Sequence, residues 1–189
     1  MTSGRISAFT DGVVAILITI MLLDMKLPEG PFLQDLFELR YGLITYTTSF
    51  FFLAIFWNNH HHLFHLVKQV SGKMLWWNMF LLFFLSFIPY FTNWLSHYPT
   101  YLFPEFLYGI NILVVDVIYN LLSYEIFKGH EKGIRAFRWS YKALFSILIL
   151  IVGLVLCLFS FRWIVLLASI LSMVPWIIPD RQIEKQINK

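Results

Sequence analysis

The chain is poor in three things that soluble proteins normally have. Charged residues make up only 13% of it, against a usual share of about a quarter. It holds a single cysteine, Cys157, so an internal disulfide is excluded and no cysteine-based metal spacing exists. Net charge is small, at +3, which leaves no basic surface of the kind that nucleic acid requires. What replaces these is apolar: 59% of the 189 residues are hydrophobic and 19% are aromatic. One small core cannot hide that much apolar surface. A soluble enzyme, a disordered chain and a disulfide scaffold are therefore excluded, and an all-α polytopic membrane protein remains.

A helix needs about 20 mostly apolar residues to cross a bilayer core of roughly 30 Å. Six stretches qualify or nearly so: Arg5 to Met25, Tyr41 to Trp57 with a helical continuation toward Lys68, Met74 to Leu95, Phe106 to Tyr124, Tyr141 to Phe159, and Trp163 to Ile178. Pro175 and Pro179 mark the end of the sixth. The first stretch is expected to be a retained helix and not a cleavable signal, because its charged start is a single arginine and Asp24-Met25-Lys26 follows it in place of small residues. The whole chain, 1–189, reads as a single six-helix domain.

Positive residues set the expected orientation. Lys68 and Lys73 lie between stretches two and three; Lys128, Lys132, Arg135 and Arg138 lie between four and five. Arg5 precedes the first stretch, and Arg181, Lys185 and Lys189 follow the last. The remaining loops carry Asp24, Glu29, Asp35, Glu38 and Glu105. Lysine and arginine favour the cytoplasmic side, so both termini are expected there, as an even number of crossings requires.

That topology gathers the costly residues at one depth. Arg5, Thr10 and Asp11 open the first helix; Asn58, Asn59, His60, His61, His62 and His65 close the second. Asn78 opens the third, and Asp116 and Asn120 close the fourth, four apart on one face. Ionisable groups in spans are expensive and mark function. A shared hydrogen-bond network near the cytoplasmic boundary is the expected way to satisfy them. His61 and His65 have a spacing that suits a metal, but outside the His60–His65 cluster the only other histidines are His97 and His130, so no metal or other cofactor is expected.

Along the first helix, Ile16, Thr19, Ile20 and Leu23 form one stripe, apolar but for a single hydroxyl. Spacing alone reads this as ordinary packing. Arg5-x-x-x-Phe9-Thr10-Asp11-Gly12, however, resembles the R-x-x-x-F-S-D-G signature of the transmembrane protein 175 family of endosomal and lysosomal potassium channels. Trp57-x-x-His60-His61-x-x-Phe64 is similar to the family's W-x-x-H-H stretch, and Asn78, Leu81-Leu82-Phe83 and Ser86-Phe87-Ile88-Pro89 to its third helix. These motifs cover residues 5 to 92; Thr10 stands where the family has serine.

The resemblance implies a bacterial homotetramer in the cell (plasma) membrane, conducting potassium ions through a central pore lined by helix one. It implies that Ile16, with Ile20 and Leu23, forms the apolar constriction and that Thr19 bears on selectivity. Arg5, Phe9, Thr10 and Asp11 would hold helix one through Trp57, His60 or His61, and Asn78. With no T-V-G-Y-G loop, a carbonyl filter is absent, and potassium is expected to be preferred over sodium only modestly. The competing classes are a secondary transporter, a histidine-dependent membrane enzyme and a structural subunit. Transporters favour paired broken helices, whereas Pro89 is the one proline well inside a span.

Overall fold

The computed structural model of the chain describes residues 3–67, 69–128, 141–159 and 163–177. All regular structure among them is helical: α1 (Ser3–Leu23), α2 (Leu33–Glu38), α3 (Arg40–His65), α4 (Gly72–Leu85), α5 (Ile88–His97), α6 (Leu102–Phe127), α7 (Tyr141–Leu158) and α8 (Ile164–Ile177). Lys68, His130, Lys132, Arg135, Arg138, Ile178, Pro179, Arg181, Lys185 and Lys189 lie outside the described residues, and much of the orientation argument rests on them.

Helices occupy each of the six stretches expected. Four of these stretches are long and apolar enough to cross a membrane: α1, α4 with α5, α6 and α7. The described part of α8 is 14 residues, shorter than a crossing, and α3 is 26 residues long but carries the polar run Asn58–His62 in its last third.

Three boundaries differ from the sequence reading. The third stretch is not one rod but breaks at Ser86 and Phe87, because Pro89 has no N–H to offer the Leu85 carbonyl. Asn111 of α6 reaches the break and donates from Nδ2 to the Phe84 carbonyl at 3.1 Å. Pro175 does not end the last helix but sits inside α8, which runs on to Ile177. Near that weakened end, Asn59 Nδ2 donates to the Trp176 carbonyl at 2.9 Å, supplying a donor to one of the carbonyls that every helix C-terminus leaves over. The third difference is the short helix α2 in the acidic loop, where the Asp35 carboxylate accepts from the Phe32 N–H at 2.9 Å and so caps its own helix.

Packing follows from small residues and burial. α6 sits against α4, α5, α7 and α8, and α7 lies along α8. A Cβ at Gly109 would collide with Val165, and one at Gly153 would come within 2.5 Å of the Ala168 Cβ. Glycine at these two points lets α6 and α7 approach α8, the usual device where lipid removes the hydrophobic drive between helices. Glu105 ties the same corner, accepting from the Val165 N–H at 3.0 Å in a buried setting. The hydroxyls of Ser49, Thr92 and Tyr108 join α3, α5 and α6, with 2.7 Å between Ser49 and Thr92 and 3.0 Å between Ser49 and Tyr108. α1 stands at the edge of this body, packed on α3, α4 and α5.

Candidate functional site at the first helix

α1 has two faces. One, formed by Ile6, Thr10, Val14, Leu17 and Met21, is buried against its own subunit. The other carries the stripe read from the sequence: Ile16 is 57% exposed, Ile20 39% and Leu23 82%, with Thr19 exposed between them. Helical geometry makes this split, since positions three and four apart share a face and Thr10, Val14, Leu17 and Met21 alternate with the stripe around the axis.

The Thr19 hydroxyl donates back to its own helix, to the Ile16 carbonyl at 2.9 Å and the Ala15 carbonyl at 3.2 Å. A hydroxyl whose proton is given to the backbone presents its oxygen lone pairs outward. Thr19 is thus an acceptor on an otherwise apolar surface, which is the chemistry a cation can use.

The buried face is pinned near its N-terminal start by two separate contacts. In the first, Asn78 Nδ2 donates to Thr10 Oγ1 at 3.2 Å while its Oδ1 lies 2.8 Å from His60 Nε2. All three side chains are buried, and they connect α1, α4 and α3. Because Asn78 Oδ1 can only accept, His60 carries its proton on Nε2. His60 Nδ1 is then a buried acceptor without a donor among the described residues. In the second contact, the Trp57 indole N–H donates to Asp11 Oδ1 at 2.7 Å, joining α3 to α1 at the margin of the buried zone.

Not every expected member of the network is in it. Arg5 is exposed and forms no hydrogen bond or ion pair among the described residues. Phe9 is 54% exposed and is not part of the core. His61 turns to its own helix, with its Nε2 3.0 Å from that of His65, and stacks on Trp57. No group of three or more histidine, cysteine, aspartate or glutamate side chains converges among the described residues.

The sequence reading left Asp116 open; the structure gives it partners on two helices. Asn120 Nδ2 donates to its Oδ1 at 3.0 Å, and Ser146 Oγ of α7 donates to its Oδ2 at 2.6 Å. The Ser146 link was not read from the sequence, because a lone serine in an apolar run carries no signal for a partner 30 residues away.

Known proteins resemble this chain in sequence and fold. The family described as endosomal/lysosomal potassium channel TMEM175 matches residues 5–89, the part that holds α1, α3, α4 and the start of α5. A potassium channel of Chryseobacterium sp. (strain P1-3) is 38% identical over 194 residues, spanning 100% of both chains. The chain belongs to the TMEM175 family. A TMEM175 relative named as a potassium channel of Chamaesiphon minutus is 32% identical over 129 residues, 64% of each chain. The crystal structure of a lysosomal potassium-selective channel TMEM175 homolog from Chamaesiphon minutus superposes with a TM-score of 0.77 at 26% identity. That match covers 99% of this chain and 98% of the homolog, so the TMEM175 likeness extends through α7 and α8 as well. The TMEM175 family is one of ion channels and not of enzymes, which removes the histidine-dependent enzyme from the competing readings. The fold is that of a multi-pass membrane channel.

Proposed function

We propose that the chain is a potassium channel of the cell (plasma) membrane, assembled from four copies around a central axis with α1 as the pore wall. The observation that carries this reading is the two-faced α1. One face is fastened to its own subunit by Thr10–Asn78–His60 and Asp11–Trp57, while the stripe of Ile16, Thr19, Ile20 and Leu23 is left without a partner in that subunit. A helix held so firmly on one side and bare on the other is suited to meet its own copies.

In this reading the six helical stretches all cross, both termini are cytoplasmic, and residues 1–189 act as one channel domain. Four Ile16 side chains close the pore by dewetting, since an ion there loses its water and gains no ligand. Outward rotation or splaying of α1 widens the ring and admits water. The Thr19 hydroxyl oxygens, their protons already given to the Ile16 carbonyls, then replace part of the hydration shell of the ion. Potassium surrenders water more readily than sodium, so the preference is for potassium and is modest. Asp11 and Trp57 set the base about which α1 moves, and Asn78 sets its depth against α3 and α4. Arg5 and Phe9, exposed at the same end, are placed to contact neighbouring copies, and His61 supports Trp57 by stacking on it.

Stoichiometry tests this directly. The purified chain in detergent is expected to be a tetramer by native mass spectrometry, and a monomer would remove the central pore.

A further inference from the structure

A half-open cavity of about 50 Å³ lies between α3, α6, α7 and α8. Its walls are aromatic in large part, with Phe56, Tyr119 and Trp176 packed edge to face: ring centroids are 5.7 Å apart for Phe56–Tyr119 and 5.5 Å for Tyr119–Trp176. Asp116 is in the lining, together with Asn59, Ser146 and Ser172.

Three polar side chains of this lining, Asn59, Ser146 and Ser172, have given their protons to other groups. Asn59 gives its amide hydrogens to the Ile55 and Trp176 carbonyls, at 2.8 and 2.9 Å. Ser146 donates to Asp116, and Ser172 donates to the Ser169 carbonyl at 2.7 Å. One turn along α6, Asn120 has donated to Asp116, and its own Oδ1 is buried without a donor among the described residues. What Asn59, Ser146 and Ser172 still offer the cavity is acceptor capacity, and the Asp116 carboxylate forms no ion pair within 4 Å among the described residues. A carboxylate inside a membrane fold is costly unless a partner offsets it.

We infer that this cavity is a binding site for a small lipophilic ammonium ion, with Asp116 as its counter-charge and Tyr119 and Trp176 as its aromatic walls. The ammonium N–H groups donate to the Asp116 carboxylate and to the remaining lone pairs of the lining, and the aromatic rings attract the cation. The size suits it: one water needs about 10–15 Å³ of such space, so the cavity admits an ammonium head with its first carbons. The half-open side leaves an apolar tail in the lipid. The site lies within one subunit and does not depend on the pore reading.

Benzylammonium tests the site, with benzyl alcohol as the neutral probe of the same shape. Binding to the purified full chain in detergent is followed by saturation-transfer NMR, titrated to a plateau. Saturable binding of benzylammonium is expected, with the alcohol and the Asp116→Asn variant each at least about tenfold weaker. Ser172→Leu, which fills the cavity and leaves the carboxylate in place, is expected to lose binding as well, and it keeps the test alive should Asp116→Asn fail to assemble. Equal binding of alcohol and ammonium would overturn the counter-charge role of Asp116. Binding that never saturates, or that survives Ser172→Leu, would overturn the site, leaving water as the occupant that satisfies the acceptors.

Discussion

The indole N–H of Trp57 meets the carboxylate of Asp11 at 2.7 Å, across 46 residues of chain, and so fixes α1 to α3 at one point of contact. Directly behind it the Thr10–Asn78–His60 chain fixes α1 to α4 and α3 at a second. Two attachments near the same end define a base, and among the described residues the rest of α1 is held by apolar packing. That is the mechanical arrangement a moving pore wall requires.

Removing the central member of the buried chain is expected to be expensive. Asn78→Leu leaves His60 Nε2 and Thr10 Oγ1 without their shared partner in a fully buried place. The expected loss is about 3 kcal/mol, and thermal melting of the purified protein in detergent should fall by roughly 6–12 °C. An unchanged melting temperature would show that the contact holds nothing.

Thr10 separates hydroxyl from methyl. Thr10→Ser keeps the acceptor for Asn78 Nδ2 and restores the residue of the family signature, so melting is expected to shift by less than about 1 kcal/mol equivalent. Thr10→Val keeps the shape and removes the acceptor, leaving a buried amide unsatisfied at about 1–3 kcal/mol. The two variants should therefore separate clearly on one melting experiment.

At Thr19 the expected readout is selectivity and not stability, because the side chain is exposed and bonds only to its own helix. Thr19→Val should bring potassium and sodium fluxes in liposomes closer together, while Thr19→Ser should keep them apart. Equal ratios in all three proteins would remove the hydroxyl from selectivity.

Much of this was legible in the sequence for a physical reason. The uninterrupted run from Gly12 to Leu23 announces α1, because a membrane demands length and apolarity and little else. Polar residues in such surroundings stand out, and this makes Thr10, Asn78 and His60 legible as members of a network. Partner choice was less legible. That His60 and not His61 meets Asn78 depends on the rotation of α3, and that Asn59 serves Trp176 depends on a contact 117 residues long. Arg5 was expected in the network because its motif contains it, yet a motif does not state which way a side chain points. The break before α5 had its signal in Pro89, whose missing N–H affects the turn before it and not only its own position. α2 is not legible because six residues carry too little periodicity, and because Phe32 at its N-cap offers no side-chain acceptor to mark the start.

At Ile16, the account makes its most exposed claim about function. Ile16→Asn places an amide in the constriction, where it can hold water, and potassium flux is expected to rise about tenfold or more, since about 1.4 kcal/mol off a barrier is a factor of ten.

The measurement that bears most directly on the central claim is ion flux into liposomes holding the purified protein, with potassium and sodium gradients compared side by side in the parent and in Ile16→Trp. The account predicts potassium flux above sodium flux in the parent and neither in Ile16→Trp, because four indoles fill the ring that Ile16 forms. Flux that persists unchanged in a folded, tetrameric Ile16→Trp would contradict it, and would place the ion path somewhere other than α1.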